Sequence, residues 1–164
     1  MTCVRCGGRM TTKREKYEYE PTKGVRVLLL NVAVSRCQAC AEVEVSIPRI
    51  EALHRFIAWQ MLKRPTRFSA EEVRYLRKYL GWSGLDFAAH MGVNNATVSR
   101  WENGKEQIGP LADRLLRLMV ATREPVADYR VEALKSIRAR TTKPRRLALR
   151  MRSEEWQAVA VGGR

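Results

Sequence analysis

Long apolar runs are missing from this chain. Val27 to Leu30 is short and strand-like, and nothing approaches the ~18 consecutive apolar residues of a membrane helix. The N-terminus lacks the charged-then-apolar pattern of a secretory leader. From both absences the protein is expected to stay inside the cell, with no membrane partner. Histidine is scarce, with two among 164 residues and neither in a motif. There is no phosphate-cradling glycine loop and no paired His/Asp/Ser arrangement. The chain therefore reads as no enzyme. Acidic residues are also short, 17 Asp+Glu against 31 Lys+Arg, for a formal net charge of +14. Apolar residues still make up 45%, enough for a core, which excludes wholesale disorder.

The basic excess is unevenly spread. Residues 1–67 carry a net +7, residues 68–137 only +1, and residues 138–164 +6. A near-neutral middle between two basic flanks points to a polyanionic partner, because each phosphate neutralised by Lys or Arg releases a condensed counterion.

All four cysteines lie in the first 40 residues, as Cys3-Val-Arg-Cys6 and Cys37-Gln-Ala-Cys40. In a reducing compartment they are poor candidates for a disulfide framework. Two residues between paired cysteines let both sulfurs of a tight turn point at one centre, and two such turns supply the four-thiolate set of a structural Zn²⁺ site. Four thiolates close the coordination shell, so the Zn²⁺ is read as structural rather than catalytic. A redox CxxC needs a thioredoxin-like βαβ unit, which is missing; an iron–sulfur site is not excluded by the ligand set alone. Between the cysteine pairs, Thr11 to Tyr19 and Val25 to Val34 read as a β-hairpin turning at Pro21-Thr-Lys-Gly24. Glu42 to Ile47 adds a strand that ends at Pro48. Residues 1–47 are thus a zinc ribbon.

Ile50, Leu53, Phe56, Ile57 and Met61 recur at helical spacing, giving a connecting helix and linker over 48–67 that Pro65 interrupts. His54 on this helix reads as a solvated or partly packed side chain. Residues 68–137 follow as an all-α domain. Ser69-Ala-Glu-Glu72 is a capping box, with Val73, Leu76 and Leu80 on one apolar face. Ser83-Gly-Leu-Asp86 opens a second helix with Phe87, Ala88 and Met91 inward, closed by Gly92 in a left-handed position. Asn94 caps a third helix, Asn95 to Glu102, in which Trp101 is a core anchor and Glu102 a structural partner. Gly109-Pro110 starts a fourth, with Leu111, Leu115, Leu118 and Met119 as its stripe. A fifth runs from Val126 to Ala139, equally suited to packing on its own domain or to dimerisation. Two short helices joined by a Gly-containing turn, with helices on either side, describe a helix-turn-helix.

The stretch from Phe87 to Gly104 resembles the helix-turn-helix of phage-repressor and Xre-type regulators. Coupled to an N-terminal C-x₂-C…C-x₂-C ribbon, the order over residues 1–122 resembles the MqsA-type, or YgiT-type zinc finger, antitoxins. The resemblance implies that Asn94, Asn95, Ala96, Thr97, Ser99 and Arg100 face double-stranded DNA, with Ser83 and Lys105 beside them. Asn can pair with adenine and Arg with guanine through two hydrogen bonds, while Ser and Thr suit bases or phosphates. Asn94 is also explained as a helix cap, without DNA. Two positions depart from the patterns: Gly84 stands where Xre-type regulators commonly have Gln, and Ala96 where the antitoxins read DNA with Asn. Operator sequence therefore does not carry over.

Residues 138–164 form a basic C-terminal extension without counterpart in that family. Arg138 to Arg152 holds seven basic residues and no acidic one. Leu147, Leu149 and Met151 alternate as in a strand, and Ser153-Glu-Glu-Trp156 looks like a helix start. A basic arm on phosphates, an edge strand and a disordered end are all compatible with it. The sequence as a whole describes an α+β protein: a small N-terminal β zinc ribbon, then a helix-turn-helix domain of about five helices and a basic tail. The function it implies is a sequence-specific, autoregulating, antitoxin-like repressor that binds a palindromic operator as a homodimer. The alternative is a protein-interaction module whose ribbon binds a partner toxin.

Overall fold

The computed structural model describes residues 1–123, 137–141 and 146–160. Its elements, in chain order, are β1 (Met10–Thr22), β2 (Val25–Cys37), β3 (Val43–Ser46), α1 (Ile50–Leu62), β4 (Thr66–Arg67), α2 (Ala70–Tyr79), α3 (Gly84–Met91), α4 (Asn95–Glu102), α5 (Pro110–Arg123), β5 (Arg138–Thr141), β6 (Leu147–Arg152) and β7 (Glu155–Val159). This is the α+β order expected, an N-terminal sheet followed by five helices. The chain divides into two compact units, one built from residues 1–19, 26–53 and 146–164, the other from 20–25 and 54–145.

In the first unit β2 is the central strand of a five-stranded sheet in the order β1-β2-β6-β7, with β3 also paired to β2. The strand is rich in Val and Leu because it is paired on both edges and buries alternate residues in the core. One edge takes β1. The other is divided: Val27 to Leu30 pair in parallel with Leu147 to Arg150, and Ala33 to Arg36 pair antiparallel with β3. Between these halves Asn31 takes φ 61°. Burial falls on Val25, Val27 and Leu29 before it and on Val32 and Val34 after it, so the inward side of the strand changes parity there, as at a bulge. Leu29, Val34 and Leu149 are completely buried, with Trp156 close behind at 5% exposure.

The tail therefore departs from one expectation. Ser153 and Glu154 do not begin a helix; both take left-handed φ, 47° and 63°, and they turn β6 into β7 as an antiparallel hairpin. Two consecutive left-handed residues give the turn whose twist matches the flanking strands, and Trp156 fills the core instead of a helix face. Of the helix expected over Val126 to Ala139, residues 126–136 lie outside the described residues, while Arg138 and Ala139 belong to β5, which pairs with β4. The β1–β2 turn is also tighter than expected: Pro21 still belongs to β1, and only Lys23 and Gly24 make the turn.

The second unit is built by its caps. Ser69 Oγ accepts the Glu72 amide while Glu72 Oε2 accepts the Ser69 amide at 2.9 Å. Ser83 and Asp86 repeat the device on α3. Gly92, at φ 65°, ends α3 in the left-handed region and turns the chain into α4 at little steric cost. Phe68, Leu76, Phe87, Ile108 and Leu116 form the core, each no more than 2% exposed.

On α5 the buried face differs from the expected one. Leu111 is 79% exposed and Leu118 44% exposed, whereas Asp113, Leu116, Arg117 and Val120 are buried. The reason is a charged pair in the core. Arg117 Nε donates to Asp113 Oδ1 at 2.8 Å, its two terminal nitrogens donate to the carbonyls of Leu62, Arg64 and Thr66, and its guanidinium lies 4.1 Å from the centre of the Phe68 ring. Asp113 Oδ2 takes the Phe68 amide at 2.9 Å. The segment between α1 and α2 thus has its polar backbone satisfied by one ion pair.

Candidate metal centre and nucleic-acid interface

Each cysteine turn is closed by its own backbone. Gly7 N donates to Cys3 O at 2.8 Å, Cys3 N to Gly8 O at 2.9 Å, and Cys37 N to Glu42 O at 2.9 Å. Gly8 is required for close approach: a Cβ there would lie 3.1 to 3.3 Å from Ala39 Cβ and the sulfurs of Cys6 and Cys37. The sulfurs of Cys3 and Cys40 are 3.6 Å apart, those of Cys6 and Cys37 3.5 Å, and all four lie within 4.8 Å of one another. A disulfide would need ~2.05 Å. Thiolates around Zn²⁺ at ~2.3 Å are about 3.8 Å apart, so the cluster fits a tetrahedral metal ion.

The chemistry of the donors agrees with the spacing. Amide donors from Ala39 and Cys40 hold the Cys37 thiol down to about 6. For Cys40 the Glu42 amide also pulls downward, but the thiols of Cys6, Cys3 and Cys37 and burial outweigh it and push Cys40 up to about 12. Four sulfurs this close can all ionise only around a cation. Cys3 and Cys37 are buried and Cys6 is exposed, while Val4, between the first two cysteines, is 92% exposed.

In the other unit, α3 and α4 form a helix-turn-helix. Val98 and Trp101 are the buried side of α4, and the Trp101 ring meets Phe87 of α3 edge-on with centroids 6.5 Å apart. The C-terminal end of α4 is clamped to α2. Arg77 grips Glu102 through both oxygens, at 2.5 and 3.0 Å, and Arg74 donates to the Glu102 carbonyl. A two-bonded Arg–carboxylate fork fixes orientation as well as distance, so Glu102 is a structural partner and Trp101 a core anchor.

The opposite side of α4 is open. Asn94, Asn95, Ala96, Ser99, Arg100 and Lys105 are exposed, Thr97 is half-buried, and Ser83 is exposed at the start of α3. Several are already engaged. Ser83 Oγ and Asp86 exchange hydrogen bonds in the cap, and the Ser83 hydroxyl and amide together hold the Asp86 carboxyl below its ordinary value. Asn94 Oδ1 accepts from the Thr97 amide at 2.8 Å and from the Thr97 hydroxyl at 2.9 Å, which is the capping role. Ser99 receives the Asn103 side-chain amide on its carbonyl and hydroxyl. Asn95 is the first residue of α4. Its Oδ1 would lie 3.0 Å from a Cβ at Gly84, so the glycine leaves Asn95 room that a larger residue would take.

Arg100 is held by two partners. Its Nη2 donates to Thr97 Oγ1 at 2.9 Å and its Nε to Glu106 Oε2 at 2.8 Å. Glu106 was not singled out by sequence reasoning; the Asn103-Gly104 turn signal, which folds the following loop back on α4, was the clue to it. Arg117 was missed too, although Asp113 and Arg117 stand four apart on α5.

Among the described residues no helix is long and apolar enough to cross a membrane. No curated protein matches the chain. Residues 73–128 match the family model described as Helix-turn-helix, so that segment carries the fold that DNA-binding transcriptional regulators use to present a helix to the major groove.

Proposed function

We propose that this protein is a sequence-specific transcriptional repressor that reads a palindromic operator as a homodimer and represses its own gene in the manner of an antitoxin. The observation that carries the reading is α4 itself. One side is locked into the core through Val98 and Trp101, and the other offers Asn95, Ser99 and Arg100 to solvent. Those side chains suit base edges in a major groove. In this reading Asn95 and Arg100 contact bases, Ala96 lies against a base, Ser99 and Lys105 serve phosphates, and Ser83 and Thr97, whose hydroxyl hydrogens are given to Asp86 and Asn94, lie beside the DNA and hold the helix starts that face it. Asn94 serves as the cap. Cys3, Cys6, Cys37 and Cys40 hold a structural Zn²⁺, which supplies a cross-link between the two cysteine turns and no chemistry.

A mobility-shift assay on the DNA upstream of the gene tests the reading. Wild type is compared with Asn95→Ala and Arg100→Ala at fixed salt with nonspecific competitor. A competitor-resistant shift that both variants lose is expected. A shift erased by competitor and indifferent to the substitutions leaves only backbone attraction and overturns it.

A second reading has one observation in its favour. Val4, between two metal ligands, is an apolar side chain held in solvent by a rigid turn, as suits a ribbon that binds a partner such as a toxin protein. A small toxin-like reading frame beside the gene, whose product is captured by wild type and not by Val4→Asp, supports it.

A further inference from the structure

Arg100 is the one arginine on the open side of α4, and its surroundings form a hydrogen-bonded chain along the surface. The Thr97 hydroxyl donates its single hydrogen to Asn94 Oδ1 at 2.9 Å, so it meets Arg100 Nη2 as an acceptor at 2.9 Å. Arg100 Nε then donates to Glu106 Oε2 at 2.8 Å. Glu106 reaches this place because the loop after α4 returns on the helix end: the amides of Lys105 and Glu106 both donate to the Arg100 carbonyl, at 3.0 and 3.3 Å. Gly104, at φ 68°, makes that return.

A guanidinium has five N–H groups. Glu106 takes the Nε hydrogen and Thr97 one of the Nη2 hydrogens. Among the described residues nothing takes the Nη1 pair, so the free end of the fork presents Nη1 and Nη2 side by side. That is the geometry for the O6 and N7 acceptors of guanine. The carboxylate also offsets the charge of Arg100, which weakens its attraction to any phosphate it meets on unspecific DNA.

We propose that Glu106 is a positioning residue for DNA reading: it holds Arg100 as a guanine reader and withholds it from phosphates. The inference rests on the reading under Proposed function and adds the residue that sets its specificity. Two effects follow from removing the carboxylate while leaving the fold intact. Discrimination in favour of guanine falls, because the fork is no longer oriented before contact. Affinity for arbitrary DNA rises, because Arg100 regains its full charge.

The test is selection of binding sites from a randomised double-stranded DNA library by the full chain, run in parallel for wild type, Arg100→Ala, Glu106→Gln and Glu106→Ala. Both Glu106 variants alter an exposed loop side chain, and equal thermal midpoints check that they fold. Wild type is expected to enrich sites with a guanine that Arg100→Ala no longer selects. At that position alone, Glu106→Ala should lose about three- to tenfold of the preference, a fraction of the discrimination a two-bonded Arg–guanine contact provides, and Glu106→Gln, whose amide oxygen can still accept from Nε, should lose less. Their binding to unselected library DNA should tighten, with a log K against log salt slope steeper by about one. A guanine preference undiminished in both Glu106 variants overturns the proposal, as does a site set in which Arg100→Ala changes no position. Failure of wild type to enrich any sequence is a different result: it overturns the DNA-reading function itself, and is seen without any variant.

Discussion

Arg117 and Asp113 form an ion pair at 2.8 Å in which neither side chain has any exposed surface. Its importance lies in the four backbone groups it serves, the carbonyls of Leu62, Arg64 and Thr66 and the amide of Phe68. Arg117→Met should destabilise the domain by about 3 to 5 kcal/mol, the range for breaking a buried pair from one side. The double variant Arg117→Met/Asp113→Leu removes the unpaired charge yet should not recover wild-type stability, since three carbonyls and an amide lose their partners. Urea titrations of the single and double variants measure both.

Metal removal should act on one unit. Chelation, or Cys37→Ser, is expected to release one metal ion per chain and unfold the two cysteine turns, while the helical signal in circular dichroism persists. A cooperative loss of sheet and helix together would show that the two units unfold as one.

A pH dependence should come from His54. The Tyr75 hydroxyl lies 3.3 Å from its Nδ1 and donates to its carbonyl at 3.0 Å. Burial holds the His54 imidazole below its ordinary value, so the folded state favours the neutral ring. The stability this confers is complete above the ordinary value of ~6.5 and is lost as pH falls through the lower folded value. Between pH 7.5 and 5.5 the urea midpoint of wild type should fall. His54→Gln, neutral throughout, should show a shallower fall.

The tail's two roles, packing and charge, can be separated. Leu149 is fully buried, and Leu149→Ala should destabilise the sheet by about 2 to 5 kcal/mol, the usual range for emptying a buried leucine site. Arg150 and Arg152 are exposed on the same strand, so the pair of changes Arg150→Gln and Arg152→Gln should leave stability nearly unchanged. If these arginines meet phosphates, that double variant lowers the salt slope of DNA binding by up to about two. Truncation of the tail cannot make this distinction, because it strips β2 of a neighbour as well as of charge.

What could be read from the residues was what local chemistry encodes. The Cys-x-x-Cys pairs, the two capping boxes at Ser69 and Ser83, the left-handed Gly92 and the Asn94 cap each declare themselves within four residues. The rest depended on partners far away in sequence. Nothing near Leu147 says that it lies beside Val27, and Ser153-Glu-Glu-Trp156 carries a genuine helix-cap pattern that the turn between β6 and β7 overrides. The stripe of Leu111 and Leu118 misled for a similar reason. The burial of α5 is set by an arginine whose partners lie on a different segment, so hydrophobicity alone pointed to the wrong side of the helix.

The division of one edge of β2 between β3 and β6 has a consequence for the order of events at the ribosome. Val27 emerges early, but the strand it lies beside is made about 120 residues later. Until then the edge from Val27 to Leu30 is unpaired, an invitation to pairing with another chain. The helix-turn-helix segment can close on itself in the meantime, since its contacts are local. Thus the sheet is begun before the helix-turn-helix and completed only after it, and a nascent chain stalled before Leu147 carries the Val27–Leu30 edge uncovered.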